Sequence, residues 1–444
     1  MATKIMKTID TLISAKYILT VDKNNTQLDE HSIAIDDGII IAIIPTAKAA
    51  QKYQAKNSIV LDNHIVLPGL VNIHGHAAMS LMRGIADDLP LMTWLQDHIW
   101  PAEARCVSAD FVYQGSLHAC AEMLRSGTTC FTDMYFFPEE VARAAETANI
   151  RATVGLIMIN FPSAWAQGPD EYLSKGLQLH DKLRGHSLIK TSFAPHAPYT
   201  VDDEPLNKII TLAEELDIPI QMHIHETAFE VDDAIKQNGQ RPLARLAQLG
   251  LLTPRLIAVH MTQLTTDEIS LLTENGVHVA HCPESNLKLA SGFCPVQKLI
   301  DADVNVGLGT DGAASNNDLD MFGEMRTAAL LAKGVAEDAS AVPAEQALRM
   351  ATINGAKALS RDDEIGSLEV GKAADITALD INNIDTQPMF NPASHLVYAC
   401  GRQHVTDVWV AGKHVVKQSE LMTVDTQNII TDAKKWHEKI IATE

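Results

Sequence analysis

The sequence predicts an α/β protein, a (β/α)8 barrel of the TIM type that carries a small β-sandwich domain built from both chain ends. Three observations point there. Short, unbroken apolar runs recur eight times through the middle of the chain, helix-period stretches separate them, and β-like alternation is confined to the two ends. On this pattern residues 1–67 and 366–444 form the two parts of the sandwich domain, the second with a terminal helix, and residues 68–365 form the barrel.

Taken in order, segments 11–20, 32–35, 39–44 and 59–61 read as strands, with Asp36-Asp37-Gly38 as a turn between two of them. The eight apolar runs are 65–73, 128–134, 151–159, 189–194, 219–223, 256–260, 277–281 and 304–309. They lack polar alternation, as parallel strands covered on both faces do. Helical periodicity fills 109–125, 205–216, 234–249 and 266–274. A doubly wound open sheet is the structural rival, but no glycine-rich phosphate loop supports it. Segments 374–379 and 405–410 read as strands again, Ala411-Gly412-Lys413 as a turn, and 431–443 as an amphipathic helix docked on the rest.

Composition narrows the function. The 444 residues include 35 Lys+Arg and 56 Asp+Glu, a formal charge of −21, and 46 % are hydrophobic. So much apolar surface argues for a folded chain, and the negative charge argues against a nucleic-acid partner. The six cysteines form no CxxC pair, which fits reduced thiols in a cytoplasmic protein. Lysines and an aspartate interrupt residues 1–10, so no signal segment is expected, and no apolar run approaches the roughly 20 residues of a membrane span.

Polar residues collect where the apolar runs end. Seven of the 18 histidines sit there: His74, His76, His196, His223, His225, His260 and His281, with Asp311 closing the last run. In a parallel barrel all these ends share one rim, where the active sites of this architecture lie. One such histidine is ordinarily a hydrogen-bonded core residue; seven together are not. His74 and His76, two apart, would point to one face of a strand and could grip a divalent ion at about 2.1 Å, with Gly75 keeping the approach open. A third histidine and an aspartate from other strands give mixed nitrogen and oxygen ligation with room for water, the open pattern of catalytic zinc, although ferrous iron is chemically acceptable.

Five segments resemble the amidohydrolase superfamily: residues 68–76 (PGLVNIHGH), 223–226 (HIHE), 281–292 (HCPESNLKLASG), 309–312 (GTDG) and 366–375 (GSLEVGKAAD). The resemblance spans nearly the whole chain. It implies that His74, His76, His223 and Asp311 bind one divalent metal, most commonly Zn2+, with Fe2+ or Mn2+ as alternatives. Spacing alone leaves His223 and His225 equivalent; the family's His-x-x-Glu pattern selects His223 and pairs it with Glu226. Superfamily members with two metals bridge them through a lysine on the fourth strand, whereas here Lys190 lies at the wrong end of that run and His196 occupies the rim. That favours a mononuclear site, as in deaminases. In the mechanism so implied, a metal lowers the pKa of its water, Asp311 accepts the proton, His260 orients the nucleophile and Glu226 protonates a ring nitrogen. A hydrogen bond to a ligand is the plainer role for Glu226.

Residues 89–103 (LPLMTWLQDHIWPAE) resemble the corresponding stretch of 5′-methylthioadenosine/S-adenosylhomocysteine deaminases. The resemblance implies that Glu103 contacts the ribose hydroxyls, that Trp94 packs against the nucleoside, and that His196 and Ser315 contact the purine. It leaves open a core role for Trp94 and Trp100 and a solvated Glu103. Rival activities within the superfamily are deamination of guanine or another heterocycle, or triazine dechlorination; a non-catalytic scaffold is the rival outside it. A nucleoside is the expected partner, and family habit suggests a homo-oligomer. Met79, Met82 and Met92 could line a thioether but suit core filling better. Segment 160–168 fits a lid or an ordinary surface loop, and Cys282 reads as a buried thiol.

Overall fold

The computed structural model describes residues 6–442. Residues 1–5 of the lysine-interrupted start, and Thr443 at the predicted end of the last helix, lie outside the described residues. Eight parallel strands follow one another round a barrel in chain order: β1 (Leu70–Asn72), β2 (Thr128–Asp133), β3 (Arg151–Met158), β4 (Ile189–Pro195), β5 (Ile220–Ile224), β6 (Leu256–His260), β7 (His278–His281) and β8 (Val306–Leu308). Every strand residue except Lys190 is buried, because helices cover the outside and side chains fill the inside. Backbone bonds from Ile73 N to Leu308 O (3.0 Å) and from Asp311 N to His74 O (3.1 Å) draw the first and last strands together.

Two helices match their predicted bounds, Ala109–Arg125 and Thr266–Glu274. The Ser108 hydroxyl caps the first, and a Thr265/Glu268 capping box starts the second. The single helix predicted over 234–249 is instead two, Ala228–Asn238 and Pro242–Gln248. Gly239 leaves the first in a left-handed conformation (φ +74°), and Pro242, which has no N–H to give, begins the second. Helical periodicity continues across this break, so apolar spacing alone does not reveal it.

The small domain joins both chain ends in one eight-stranded sheet. Its long central strand, Tyr53–Pro68, runs parallel to Lys7–Leu19 on one side and antiparallel to Ile376–Asp380 on the other. The apolar run predicted as one barrel strand over 65–73 is therefore divided. Its first part ends this sheet strand at Pro68, and only Leu70–Asn72 enters the barrel. The sheet curls until its two hairpins meet, with Ala374 N donating to Gly38 O (2.8 Å) and Gly412 N to Ala374 O (3.0 Å). Ile13, Ile33, Ile35, Ile376 and Trp409 fill the space it encloses. A helix, Thr426–Ala442, packs against Ala109–Arg125 through Trp436 and Phe111. At the bottom of the barrel, buried Arg151 reaches Asp375 (2.7 Å) and Glu364 (2.6 Å), tying β3 to the segment that leads back into the sheet. Among the described residues no helix is long and apolar enough to cross a membrane.

Candidate active site

The strand ends place the predicted residues on one rim. His74 and His76 follow β1, His196 follows β4, His223 lies in β5, His260 ends β6 and Asp311 follows β8. His260 (φ +74°) and Asp311 (φ +59°) hold left-handed backbone conformations, which cost a non-glycine residue about 1 kcal/mol or more and are kept only where the surroundings over-determine them. The residues after β1 and β8 are crowded together. A Cβ on Gly309 would lie 2.8 Å from the Cβ of His74, so only glycine lets the two strands approach here. Gly75 differs from the expectation: a Cβ there would meet nothing nearer than 3.5 Å, so access to the site does not depend on it.

His74, His76, His223 and Asp311 bring four ligand atoms within 4.8 Å of one another. Asp311 Oδ1 lies 3.1 Å from His76 Nε2 and 3.3 Å from His74 Nε2. His76 Nδ1 donates to Met134 O (2.6 Å) and His223 Nδ1 to His196 O (2.7 Å). A carbonyl can only accept, so in the neutral rings both Nε2 atoms carry lone pairs turned to the centre. His74 and His223 face each other through Nε2 atoms 3.1 Å apart. Two lone pairs at that distance need a proton or a cation between them, and the donor set as a whole fits a divalent metal ion. Burial pulls the His76 imidazole down, but Asp311 beside it wins and raises it to about 9. Burial likewise opposes the Asp311 charge, yet His74 and His76 hold that carboxyl well below its usual range.

The structure separates the two histidines that spacing could not. The strand stops at Ile224 and His225 turns left-handed (φ +54°), so the alternation that would align residues two apart is lost. His225 points outward, its Nε2 accepting from Leu243 N (3.2 Å). His281, the seventh rim histidine, stays in the interior with both ring nitrogens unpartnered among the described residues, and burial holds it down to about 3. Cys282 beside it is buried, which pushes its thiol far above the usual range and leaves it protonated.

Glu226 and His260 stand next to the cluster, with Glu226 Oε2 3.7 Å from His260 Nε2. Burial and the Asp311 charge raise the Glu226 carboxyl to about 8, so it carries a proton at neutral pH. His260 Nδ1 donates to Asn286 Oδ1 (2.9 Å), and burial keeps the ring neutral, which leaves Nε2 as an acceptor facing Glu226. Four supporting residues escaped the sequence reading. Ser285 donates to Asp311 Oδ2 (2.6 Å) and Asn286 holds His260; both lie in the 281–292 run, whose resemblance assigns them no role. Asn72 ties His74 N and Thr310 N through its Oδ1. Tyr135 donates to Glu103 Oε1 (2.6 Å) from a strand end whose sequence carries no motif.

A cavity of about 670 Å³ opens over the cluster and takes in Trp94, Glu103, His196, Glu226, His260, Asp311 and Ser315. Glu103 is half-buried in the cavity wall, where burial raises its carboxyl to about 6 against the lowering effect of the Tyr135 hydroxyl. Trp94 is 5 % exposed, and its indole N–H has no partner among the described residues. His196 engages Thr200 through Nδ1 (3.0 Å). The Ser315 hydroxyl is occupied by Asp311 Oδ2 (2.9 Å), so Ser315 borders the cavity while holding the aspartate. Residues 161–164 form part of the cavity wall, anchored by buried Trp165, whose Nε1 donates to Glu139. Met79 lines the cavity near Gly312, Met82 is core, and Met92 faces a neighbouring groove.

Comparison with known proteins bears on this geometry. The amidohydrolase family model matches residues 65–415. A protein of Saccharophagus degradans named 5-methylthioadenosine/S-adenosylhomocysteine deaminase is 53 % identical over 433 residues, covering 98 % of this chain and 97 % of its own. The crystal structure of an adenosine deaminase from Xanthomonas campestris with bound zinc superposes with a TM-score of 0.97 at 51 % identity, covering 99 % of this chain and 100 % of that one. A zinc complex of an atrazine chlorohydrolase from Arthrobacter aurescens TC1 matches with a TM-score of 0.89 at 23 % identity, covering 96 % and 99 % of the two chains, a likeness of fold.

Proposed function

Because this chain belongs to the amidohydrolase family, we propose that it is a metal-dependent deaminase acting on the adenine ring of 5′-methylthioadenosine and S-adenosylhomocysteine. Carbon 6 of the purine gains the oxygen of water and loses its amino group as ammonia. The products are S-methyl-5′-thioinosine or S-inosylhomocysteine. One observation carries this function: a buried carboxyl, Glu226, and a buried imidazole, His260, flank a buried three-histidine, one-aspartate cluster at the floor of a nucleoside-sized cavity. That is the equipment for hydrolytic displacement of a poor leaving group from an electron-deficient ring. The name of the Saccharophagus degradans relative supports the same substrate class.

His74, His76, His223 and Asp311 hold one divalent cation. Three imidazole nitrogens with one carboxylate oxygen suit zinc, the ion in the Xanthomonas campestris structure, with ferrous iron or manganese as chemically acceptable substitutes. When bound, the cation supplies Lewis-acid activation of water. Asp311, kept ionised by its histidine neighbours and fixed by Ser285 and Ser315, receives the water's proton. His260 orients the attacking oxygen through Nε2, its ring fixed by Asn286. Glu226 delivers its proton to the ring nitrogen beside carbon 6 and recovers one from the new carbon-6 hydroxyl, while the proton taken up by Asp311 passes to the amino group that leaves as ammonia. Glu103 accepts the ribose hydroxyls, which a carboxylate can do with two hydrogen bonds at once. The Trp94 indole packs against the nucleoside and offers its N–H, and His196 turns Nε2 to the purine.

The test is a nucleoside panel on zinc-reconstituted protein, reading the adenine-to-hypoxanthine ultraviolet change together with ammonia release. Turnover of 5′-methylthioadenosine is expected. Zinc-loaded, folded protein that releases no ammonia from any adenosine-type nucleoside would overturn the assignment.

A further inference from the structure

The two substrates in the relative's name differ at one end only. One carries a neutral methyl thioether, and the other extends the thioether into a zwitterionic amino acid. We propose, building on the deaminase function above, that this site selects uncharged 5′-alkylthioadenosines and discriminates against the amino-acid-bearing nucleoside.

The wall of the cavity is largely apolar. Beyond the polar floor and Glu103, the lining is built from Leu91, Ile157, Ile159, Phe161, Pro162 and Ala164. No lysine or arginine lines the cavity among the described residues. A carboxylate brought here from water would exchange its hydration for apolar side chains without a paired cation, a large desolvation loss. A methyl thioether loses nothing by the same transfer and gains from burial.

The groove outside the cavity adds to this. It shares Leu91, Tyr199 and Glu226 with the cavity and continues past Asp202, Asp203, Glu204, Glu230 and Asp233. Its one arginine, Arg245, is already held by Asp203 (2.7 Å), Pro198 O (2.6 Å) and Val201 O (3.0 Å). Carboxylates there would attract an α-ammonium, but the α-carboxylate is attached to the same carbon and is drawn to the same acidic wall. The chain's formal charge of −21 points the long-range field the same way.

Three substrates separate charge from size: 5′-methylthioadenosine, 5′-n-butylthioadenosine and S-adenosylhomocysteine, the second matching the third in reach without its charges. On zinc-loaded protein the methyl and butyl compounds should have kcat/KM values within about threefold of each other, and S-adenosylhomocysteine should fall roughly tenfold or more below them, since each tenfold corresponds to 1.4 kcal/mol of unmatched charge. Calorimetry on the deaminated products should give the same order, S-methyl-5′-thioinosine binding more tightly than S-inosylhomocysteine. Phe161→Arg, which places a cation on a residue 48 % exposed at the cavity wall, should narrow the gap. If S-adenosylhomocysteine is used as well as the methyl compound, or if the butyl compound is as poor as S-adenosylhomocysteine, charge selection is wrong while the deaminase function stands. If none of the three is deaminated, the deaminase function itself falls.

Discussion

Replacing Glu103 by glutamine tests the nucleoside assignment most directly. The carboxylate sits in the cavity wall, accepts the Tyr135 hydroxyl at 2.6 Å and keeps further lone pairs for a ligand. A hydrogen bond to a charged acceptor contributes about 1.5 kcal/mol or more, so loss of two at a ribose diol should cost about 3 kcal/mol, on the order of 100-fold in kcat/KM. The amide of Glu103→Gln keeps the size and removes the charge. The loss should appear with 5′-methylthioadenosine and be nearly absent with free adenine, which has no diol. The wild-type pH profile provides an independent check. Burial raises the Glu103 carboxyl to about 6, so the binding form is present above pH 6 and KM should rise as pH falls through that value. Tyr135→Phe removes the hydroxyl that lowers this carboxyl, so the same rise should begin at higher pH. Equal losses on nucleoside and free base, or a KM profile that Tyr135→Phe leaves in place, would refute the role given to Glu103.

Three further outcomes follow from other contacts. Asn286→Ala removes the hydrogen bond that fixes the His260 ring and should lower kcat about 10- to 100-fold, with bound zinc unchanged by elemental analysis. Gly309→Ala should reduce zinc content and thermal stability, whereas Gly75→Ala should retain both, because only the first drives a Cβ to 2.8 Å from His74. Arg151→Met leaves Asp375 buried without its ion-pair partner and should destabilise the fold by about 3–5 kcal/mol in denaturant titration, with kcat of the surviving folded enzyme near the wild-type value.

Much of the barrel was readable from the sequence because its strands are covered on both faces and lose polar alternation altogether. The segments 109–125 and 266–274 match the bounds expected from their apolar spacing, and in the structure serine and threonine caps start both. The failures share a cause. The 234–249 break and the divided 65–73 run both continue an apolar rhythm across a change of element, and a hydrophobic pattern reports burial without reporting which neighbour does the burying. Tyr135 was missed for the related reason that it acts on Glu103, remote in the chain; Asn72 lies within the 68–76 run, but its tie to Thr310 on the last strand is a contact that no local motif records.

Residue types and their order along the chain thus determined the architecture, the concentration of imidazoles at one rim and the chemistry those groups can perform. Which of His223 and His225 faces the cluster depended on a left-handed turn at His225, and the proton on Glu226 depended on burial beside Asp311. Both are consequences of three-dimensional surroundings. A backbone torsion and a pKa are set by atoms packed around a residue, and those atoms come from strands separated by dozens of residues in sequence.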